Sequence, residues 1–245
     1  MKRFFYCFGV FAFLLLVVGG GFGFWKLSPF IFARSASAPL IAVSGEPIRL
    51  PAPSVEGTVS LEETLAKRRS VRSFENTPVP LAALGQILWA AQGITLPEKG
   101  YRTAPSAMSS YPLRVYAVVE NVADLPPGLY AYQPEEHALL PVFSGPAKER
   151  AMTAVRQPWI LSAPVVLIIT GRYEQLKPAF GDAARFCVDA ETGHASQNVY
   201  LQATALGLGT VAAGGVDGET LKEAFSIPVE ETPLYAMPLG FPKTE

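Results

Sequence analysis

The sequence is poor in the residues that do chemistry unaided. It has two cysteines, Cys7 and Cys187, and two histidines, His137 and His194, in 245 residues. Two cysteines cannot build a disulfide framework, and Cys187 reads as a lone buried thiol packed in the fold. No CxxC or HExxH spacing occurs, so no protein metal site is expected. There is no GxSxG nucleophile elbow. Charge of either sign is not in excess: the formal net charge is −1, which implies no nucleic-acid partner. With so little side-chain chemistry on offer, any reaction is expected to belong to a bound cofactor.

What the chain does contain starts with a leader. Lys2 and Arg3 precede an uncharged apolar run over residues 4–25. That run is long enough to span a bilayer and longer than the apolar part of an ordinary secretory signal. Residues 1–26 are read as an N-terminal membrane anchor or signal segment, with the domain placed outside the cytoplasm. Residues 27–57 hold five prolines and read as a tether. Residues 58–245 are read as one folded domain, long enough for a sizeable core.

Ser60 and Glu63 form a capping box, with Leu61 and Leu65 on one apolar face of the helix that follows. That helix runs into Lys67, Arg68, Arg69, Ser70, Val71 and Arg72, with Phe74 close behind. Four cations in six residues fit two readings: a solvated helix C-terminus, or a phosphate clamp of guanidinium forks and a hydroxyl. A second helix is predicted over 81–92, opened by Pro80 and stopped by Gly93, with Trp89 in the core. The stretch 101–112, YRTAPSAMSSYP, is a loop rich in small and hydroxyl residues. Such a loop is either a plain turn or the partner of a flat heterocycle's polar edge.

Strands are predicted over 113–119 and, as a hairpin, over 128–132 and 138–142, with His137 exposed at the turn. The run 164–170 reads as a central strand. Helices are expected over 148–156 and 219–225, and a closing strand over 235–239. The stretch 191–217 begins as a helix with Ala195, Val199, Ala203 and Leu206 on one face, and ends at Gly207. A β-prone run over 210–213 follows, and then Gly214 and Gly215. The glycine pair is either a turn that needs two glycines or a place where a flat ligand meets the backbone.

RRSVRSF at 68–74, PSAMSSYP at 105–112, GHASQN…LGLGTVAAGGVD at 193–217 and the PLGFPK tail occur in order. Together they resemble the FMN-dependent nitroreductase superfamily. GLYAY at 128–132 and E-x-G-H-A-x-Q-N at 191–198 are similar to its branch of streptolysin-type and thiazole/oxazole-forming azoline dehydrogenases. The resemblance implies an α+β fold, a central mostly antiparallel sheet wrapped by helices, in an intertwined homodimer with FMN at the interface. By position, Arg68, Arg69, Ser70 and Arg72 would hold the FMN phosphate and ribityl end, with Lys243 as a further phosphate contact. Pro105, Ser106, Ala107 and Ser109 would reach the flavin from the other subunit. Gly214 and Gly215 would lie beside its reactive edge.

The implied activity is ping-pong hydride transfer to a small electron-poor substrate such as a nitroaromatic or a quinone. NAD(P)H or a quinone is the electron partner. No residue is assigned a catalytic role. Three departures stand out: Gly214 replaces an acidic residue, Ala179-Phe180 replaces a Lys-Tyr pair, and Met108 replaces a small residue. They leave two further readings, a membrane-tethered flavin-binding protein without turnover and a peptide-modifying dehydrogenase without the usual pair. His194 reads as a helix-packing or interface histidine.

Overall fold

The computed structural model describes residues 45–243. Nine strands and six helices occur among them in the order β1 Ile48–Arg49, α1 Leu61–Lys67, α2 Leu81–Gln92, β2 Ile94–Leu96, β3 Tyr101–Arg102, β4 Leu113–Val119, β5 Gly128–Gln133 and β6 Ala138–Ser144. There follow α3 Lys148–Val155, β7 Val165–Gly171, α4 Tyr173–Phe180, α5 Ala183–Ala205, β8 Gly209–Thr210, α6 Gly218–Phe225 and β9 Thr232–Gly240. Seven strands make one sheet in the order β1-β6-β5-β4-β7-β9-β8. Its named pairings are antiparallel, so the expected α+β architecture holds.

The sheet is covered on both faces, and side-chain alternation explains how. Val115, Ala117 and Val119 of β4, with Val165, Leu167 and Ile169 of β7, pack with Leu84 and Leu88 of α2 and Val188, Ala195 and Val199 of α5. The alternate residues Tyr116, Val118, Val166 and Ile168 pack with Ala151 of α3 and Leu221 and Phe225 of α6. All of β7 is buried. A strand apolar from Val165 to Ile169 and buried throughout belongs between two layers, as the run 164–170 predicts. Truncating Leu167 to alanine there would cost about 2–5 kcal/mol.

Several local expectations hold in detail. Ser60 Oγ accepts from Glu63 N–H at 3.1 Å, the first half of the capping box. Gly207 has φ +70° and follows the end of α5, as a left-handed helix stop should. Gly93 ends α2 for a different reason: a Cβ there would come within 2.1 Å of Trp89 Cδ1. Trp89 itself is half-buried.

Other expectations need correction. The apolar run 4–25 lies outside the described residues. No helix among the described residues is long and apolar enough to cross a membrane, so the placement as a membrane-anchored domain is not upheld. The last part of the expected tether is built into the sheet: Ile48 and Arg49 pair with β6, and Leu50 is buried. Long β-branched and apolar residues there outweigh the prolines around them. His137 is not exposed. Its Nδ1 meets Tyr132 Oη at 2.9 Å, and its Nε2 meets the Pro51 carbonyl at 3.0 Å. Cys187 is half-buried rather than buried. Of the β-prone run 210–213 only Thr210 forms strand, together with Gly209 before it, because Val211 and Ala212 leave the partner strand before Ala213 bridges Ala236.

The sheet also holds one buried charge network. Glu231 is 2% exposed. It accepts from Tyr116 Oη at 2.9 Å and Thr170 Oγ1 at 2.6 Å, and pairs with Arg114 Nε at 3.5 Å. Burial first, and the neighbouring carboxylate second, push the Tyr116 phenol far above its ordinary value.

Candidate functional site

Helix α1 delivers the cation run, and the edge of the sheet seats it. Arg68 is the C-cap and leaves helical geometry with ψ 125°. Ser70 then bridges Thr210, with Val71 N–H donating to the Thr210 carbonyl at 2.9 Å. Phe74 bridges Pro242, and Lys243 N–H donates to the Ser73 carbonyl at 3.0 Å. Val71 packs so closely that a Cβ on Gly209 would lie 2.6 Å from its Cγ2. Backbone bonds therefore fix Ser70 and Val71 against Thr210 of β8, and Ser73 against Lys243.

The cations are not used up within the chain. Arg68, Arg69, Arg72 and Lys243 form no ion pair among the described residues, whereas Lys67 pairs with Glu63 on α1. Arg69 differs from the others. Its Nη1 donates to the carbonyls of Ala66 and Arg68, so it closes the end of α1 rather than joining the cluster.

Tyr200, which sequence reasoning did not single out, ties the corner together. Arg68 lies over its ring at 5.1 Å, a cation–π distance. Its hydroxyl is 3.4 Å from Ser70 Oγ and accepts from Ala212 N–H at 2.8 Å. One side chain thus links the arginine run to the segment that enters the glycine pair. A tyrosine on an amphipathic helix reads equally well as core, so only its place two residues past the E-x-G-H-A-x-Q-N string could have flagged it.

The two glycines have different causes. Neither lies in the left-handed region, so the chain direction does not require glycine at either position. A Cβ on Gly214 would approach Tyr235 Cε1 at 3.1 Å, whereas a Cβ on Gly215 would meet nothing within 4 Å. Packing within the chain accounts for Gly214 and leaves Gly215 unexplained.

The hydroxyl loop sits elsewhere on the same helix. Ala107 N–H donates to Glu191 Oε1 at 2.8 Å, and Ser106 Oγ accepts from Tyr111 N–H at 2.8 Å. Gln175 Nε2 donates to the Ser110 carbonyl. Met108, Ser109 and Tyr111 have φ of 51°, 54° and 47°. Left-handed backbone at three non-glycine residues is costly and gathers at functional sites. Glu191 is 4% exposed. Burial raises its pKa, while the Ala107 amide and the Ser106 hydroxyl partly offset that.

Glu191 and Tyr200 are nine residues apart on α5, about 13 Å along the axis at 1.5 Å per residue. The single chain therefore brings Arg68, Ser70 and the segment entering Gly214-Gly215 together around Tyr200, while Lys243 bonds by its backbone to Ser73, next to Arg72 in the chain. Pro105, Ser106, Ala107 and Ser109 make no hydrogen bond to this group among the described residues, and Ala107 is held instead at Glu191. His194 is exposed on α5, one turn past Glu191, where burial raises that carboxylate's pKa and the charge of His194 offsets part of the rise.

Residues 65–241 match the family model described as Nitroreductase family. The chain is 41% identical over 197 residues to a Methanocaldococcus jannaschii protein named "Putative nitroreductase MJ1384", covering 80% of this chain and 98% of that protein. It is 27% identical over 194 residues to a Bacillus subtilis protein named "FMN reductase [NAD(P)H]", covering 74% of this chain and 65% of that protein. Among solved structures, one from Ralstonia eutropha described as a "putative nitroreductase" superposes with a TM-score of 0.72 at 26% identity. That match covers 85% of this chain and 100% of the other.

Proposed function

The chain belongs to the nitroreductase family, and on that premise we propose that it is an FMN-dependent oxidoreductase working as a homodimer. Gly215 carries the reading. It is a glycine that neither its own backbone angle nor its own chain's packing requires, and it stands three residues past Ala212, which Tyr200 ties to Arg68 and Ser70. A planar ligand lying against that backbone would require it.

The donor set fits FMN. Arg68, Arg72 and Lys243 have no carboxylate partner among the described residues, and Ser70 adds a hydroxyl. A dianionic phosphate wants several fixed donors of this kind. Arg69 stays in the proposal as a charge near the phosphate, with its fork committed to the end of α1. When bound, FMN supplies hydride transfer, in ping-pong fashion, from NAD(P)H or a quinol to a small electron-poor acceptor such as a nitroaromatic or a quinone. The protein's share is to grip the phosphate, give the ring a flat floor at Gly214-Gly215, and keep that floor open to substrate.

The second copy completes the site. Ala107 is anchored at Glu191, nine residues before Tyr200 on α5, so Pro105, Ser106, Ala107 and Ser109 would serve the flavin of the partner. An open groove of about 970 Å³ runs between α1, α2 and α5, lined in part by Val55, Leu61, Leu201 and Leu206. Leu61 is 59% exposed. An apolar helix face left in water favours association.

Ala179 and Phe180 precede Gly181, and neither side chain can move a proton. That argues against a peptide-modifying dehydrogenase of the azoline kind. The test is to purify the full chain with added FMN. The expected outcome is a retained flavin absorbance band that NAD(P)H or dithionite bleaches and a quinone or nitroaromatic restores. A colourless protein that takes up no FMN overturns the proposal. A flavin band that no acceptor restores after bleaching leaves only a binding protein.

A further inference from the structure

The E-x-G-H-A-x-Q-N string on α5 has a use that neither core packing nor the arginine corner absorbs. Glu191 Oε1 accepts from the Ala107 amide at 2.8 Å, and one residue earlier Ser106 Oγ accepts from the Tyr111 amide at 2.8 Å. Seven residues later, Asn198 Nδ2 donates to the carbonyls of Ala90 at 3.0 Å and Thr103 at 3.3 Å. Seven residues are two helical turns, so both side chains leave α5 on one face, about 10 Å apart. One grips the entrance of the hydroxyl loop and the other its tip.

The loop needs such a grip. Left-handed backbone at Met108, Ser109 and Tyr111 relaxes to ordinary angles unless the surroundings hold it. A carboxylate is a stronger acceptor for an amide than a neutral group. A buried carboxylate in turn keeps its place only where donors meet it. Glu191 is 4% exposed, so the carboxylate and the Ala107 amide each depend on the other.

We propose that Glu191 and Asn198 form a two-point clamp on residues 103–111, holding the loop in the shape that presents Ser106, Ala107 and Ser109 to flavin. Both are positioning residues. The clamp rests on the flavin reading for its ligand but not for its geometry. The experiment compares the full chain with Glu191→Leu, Glu191→Gln and Asn198→Leu. It measures amide hydrogen exchange at Ala107, FMN affinity and the thermal midpoint.

In the unaltered chain the Ala107 amide, which has no backbone acceptor, is expected to be protected. Glu191→Leu should lose that protection and weaken FMN binding about tenfold, the worth of one charge-assisted hydrogen bond. Glu191→Gln keeps an acceptor and should restore both. Asn198→Leu should loosen the loop from its other end, with faster exchange at Ala107 and weaker FMN binding. Free exchange at Ala107 in the unaltered chain overturns the clamp without any variant. So does a folded Glu191→Leu protein with unchanged protection and unchanged FMN affinity. A protected Ala107 in a chain that takes up no FMN overturns the flavin reading and leaves the clamp standing.

Discussion

Charge is used in two opposite ways in this chain. Glu231 and Arg114 are buried in the sheet with their partners around them: Tyr116, Thr170 and each other. Arg68, Arg72 and Lys243 stand at the edge of the same sheet without a carboxylate partner among the described residues. A buried ion must be satisfied within the chain or it costs several kcal/mol. An exposed cation can wait for a ligand at almost no cost to folding. The first arrangement therefore signals structure and the second signals binding.

The hardest way to break this contrast is at Glu231. Replacing it with alanine leaves Arg114, whose side chain is 9% exposed, charged and without its partner. The expected loss is about 3–5 kcal/mol of stability, read from urea denaturation. FMN affinity of the fraction that folds should be unchanged. A stable Glu231→Ala protein would mean that the network is ornamental and that burial is no guide to role here.

The next test is the mirror image. Arg72→Ala should leave stability within about 0.5 kcal/mol, as for other surface changes, and Arg68→Ala within about 1 kcal/mol, because it also loses the Tyr200 ring. Each should weaken FMN binding by about 1.5–3 kcal/mol, the worth of a hydrogen bond to a charged group. Titration at two salt concentrations sharpens the point, because the loss should shrink as salt screens the phosphate. Arg69→Ala should cost less affinity than either, since Arg69 already serves the carbonyls of Ala66 and Arg68. An Arg72 variant that unfolds but binds normally would reverse the assignment.

The same logic separates what could be read in the sequence from what could not. Helix α2 and strands β4 and β7 are legible to within a residue or so, because periodic apolar residues and punctuating Pro80 and Gly93 act locally. Helix α4 is not, because Pro178 lies inside it and argues for a break. Helix α5 begins at Ala183, where Asp182 stands at the N-cap position but makes no side-chain cap bond, so the sequence shows a helix only from 191. The cations and the glycine pair are visible as residues. Their arrangement is not, since it depends on Tyr200 reaching Ser70 across 130 positions and on Glu191 reaching Ala107 across 84. Only a folded chain reveals that Arg69 points away while Arg68 does not.

Gly215 offers a finer test, since the two glycines differ by one neighbour. Gly215→Ala meets nothing within 4 Å and has no left-handed angle to strain. Stability should hold or rise slightly, by up to about 1 kcal/mol, as the unfolded chain loses freedom. FMN binding should fall by about 1–3 kcal/mol if the new methyl group crowds the ring. Gly214→Ala instead pushes on Tyr235 at 3.1 Å and should show its cost in the thermal midpoint. Equal behaviour of the two variants would remove the reason for placing a ligand over Gly215.

The smallest effect is expected at His137, which lies between the two extremes because it is titratable, half-buried and paired only with neutral groups. Its ring joins Tyr132 Oη to the Pro51 carbonyl, and its own carbonyl accepts from Leu50 N–H at 3.0 Å. Burial lowers its pKa, and the bond to the Pro51 carbonyl offsets part of that. Because the folded value lies below the ordinary 6.5, the unfolded chain takes up the proton first as pH falls. The stabilisation from neutral His137 is therefore complete above about pH 6.5 and is lost as pH drops from there through the folded value. The loss should appear first where β1 meets β6, as faster amide exchange at Leu50 between pH 7 and pH 5, after correction for the intrinsic rate. His137→Asn, which tolerates the left-handed φ of 45° at this position, should flatten that dependence. Leu50 protection that is equally pH-independent in both proteins would show that this histidine, unlike the buried network, is satisfied whatever its charge.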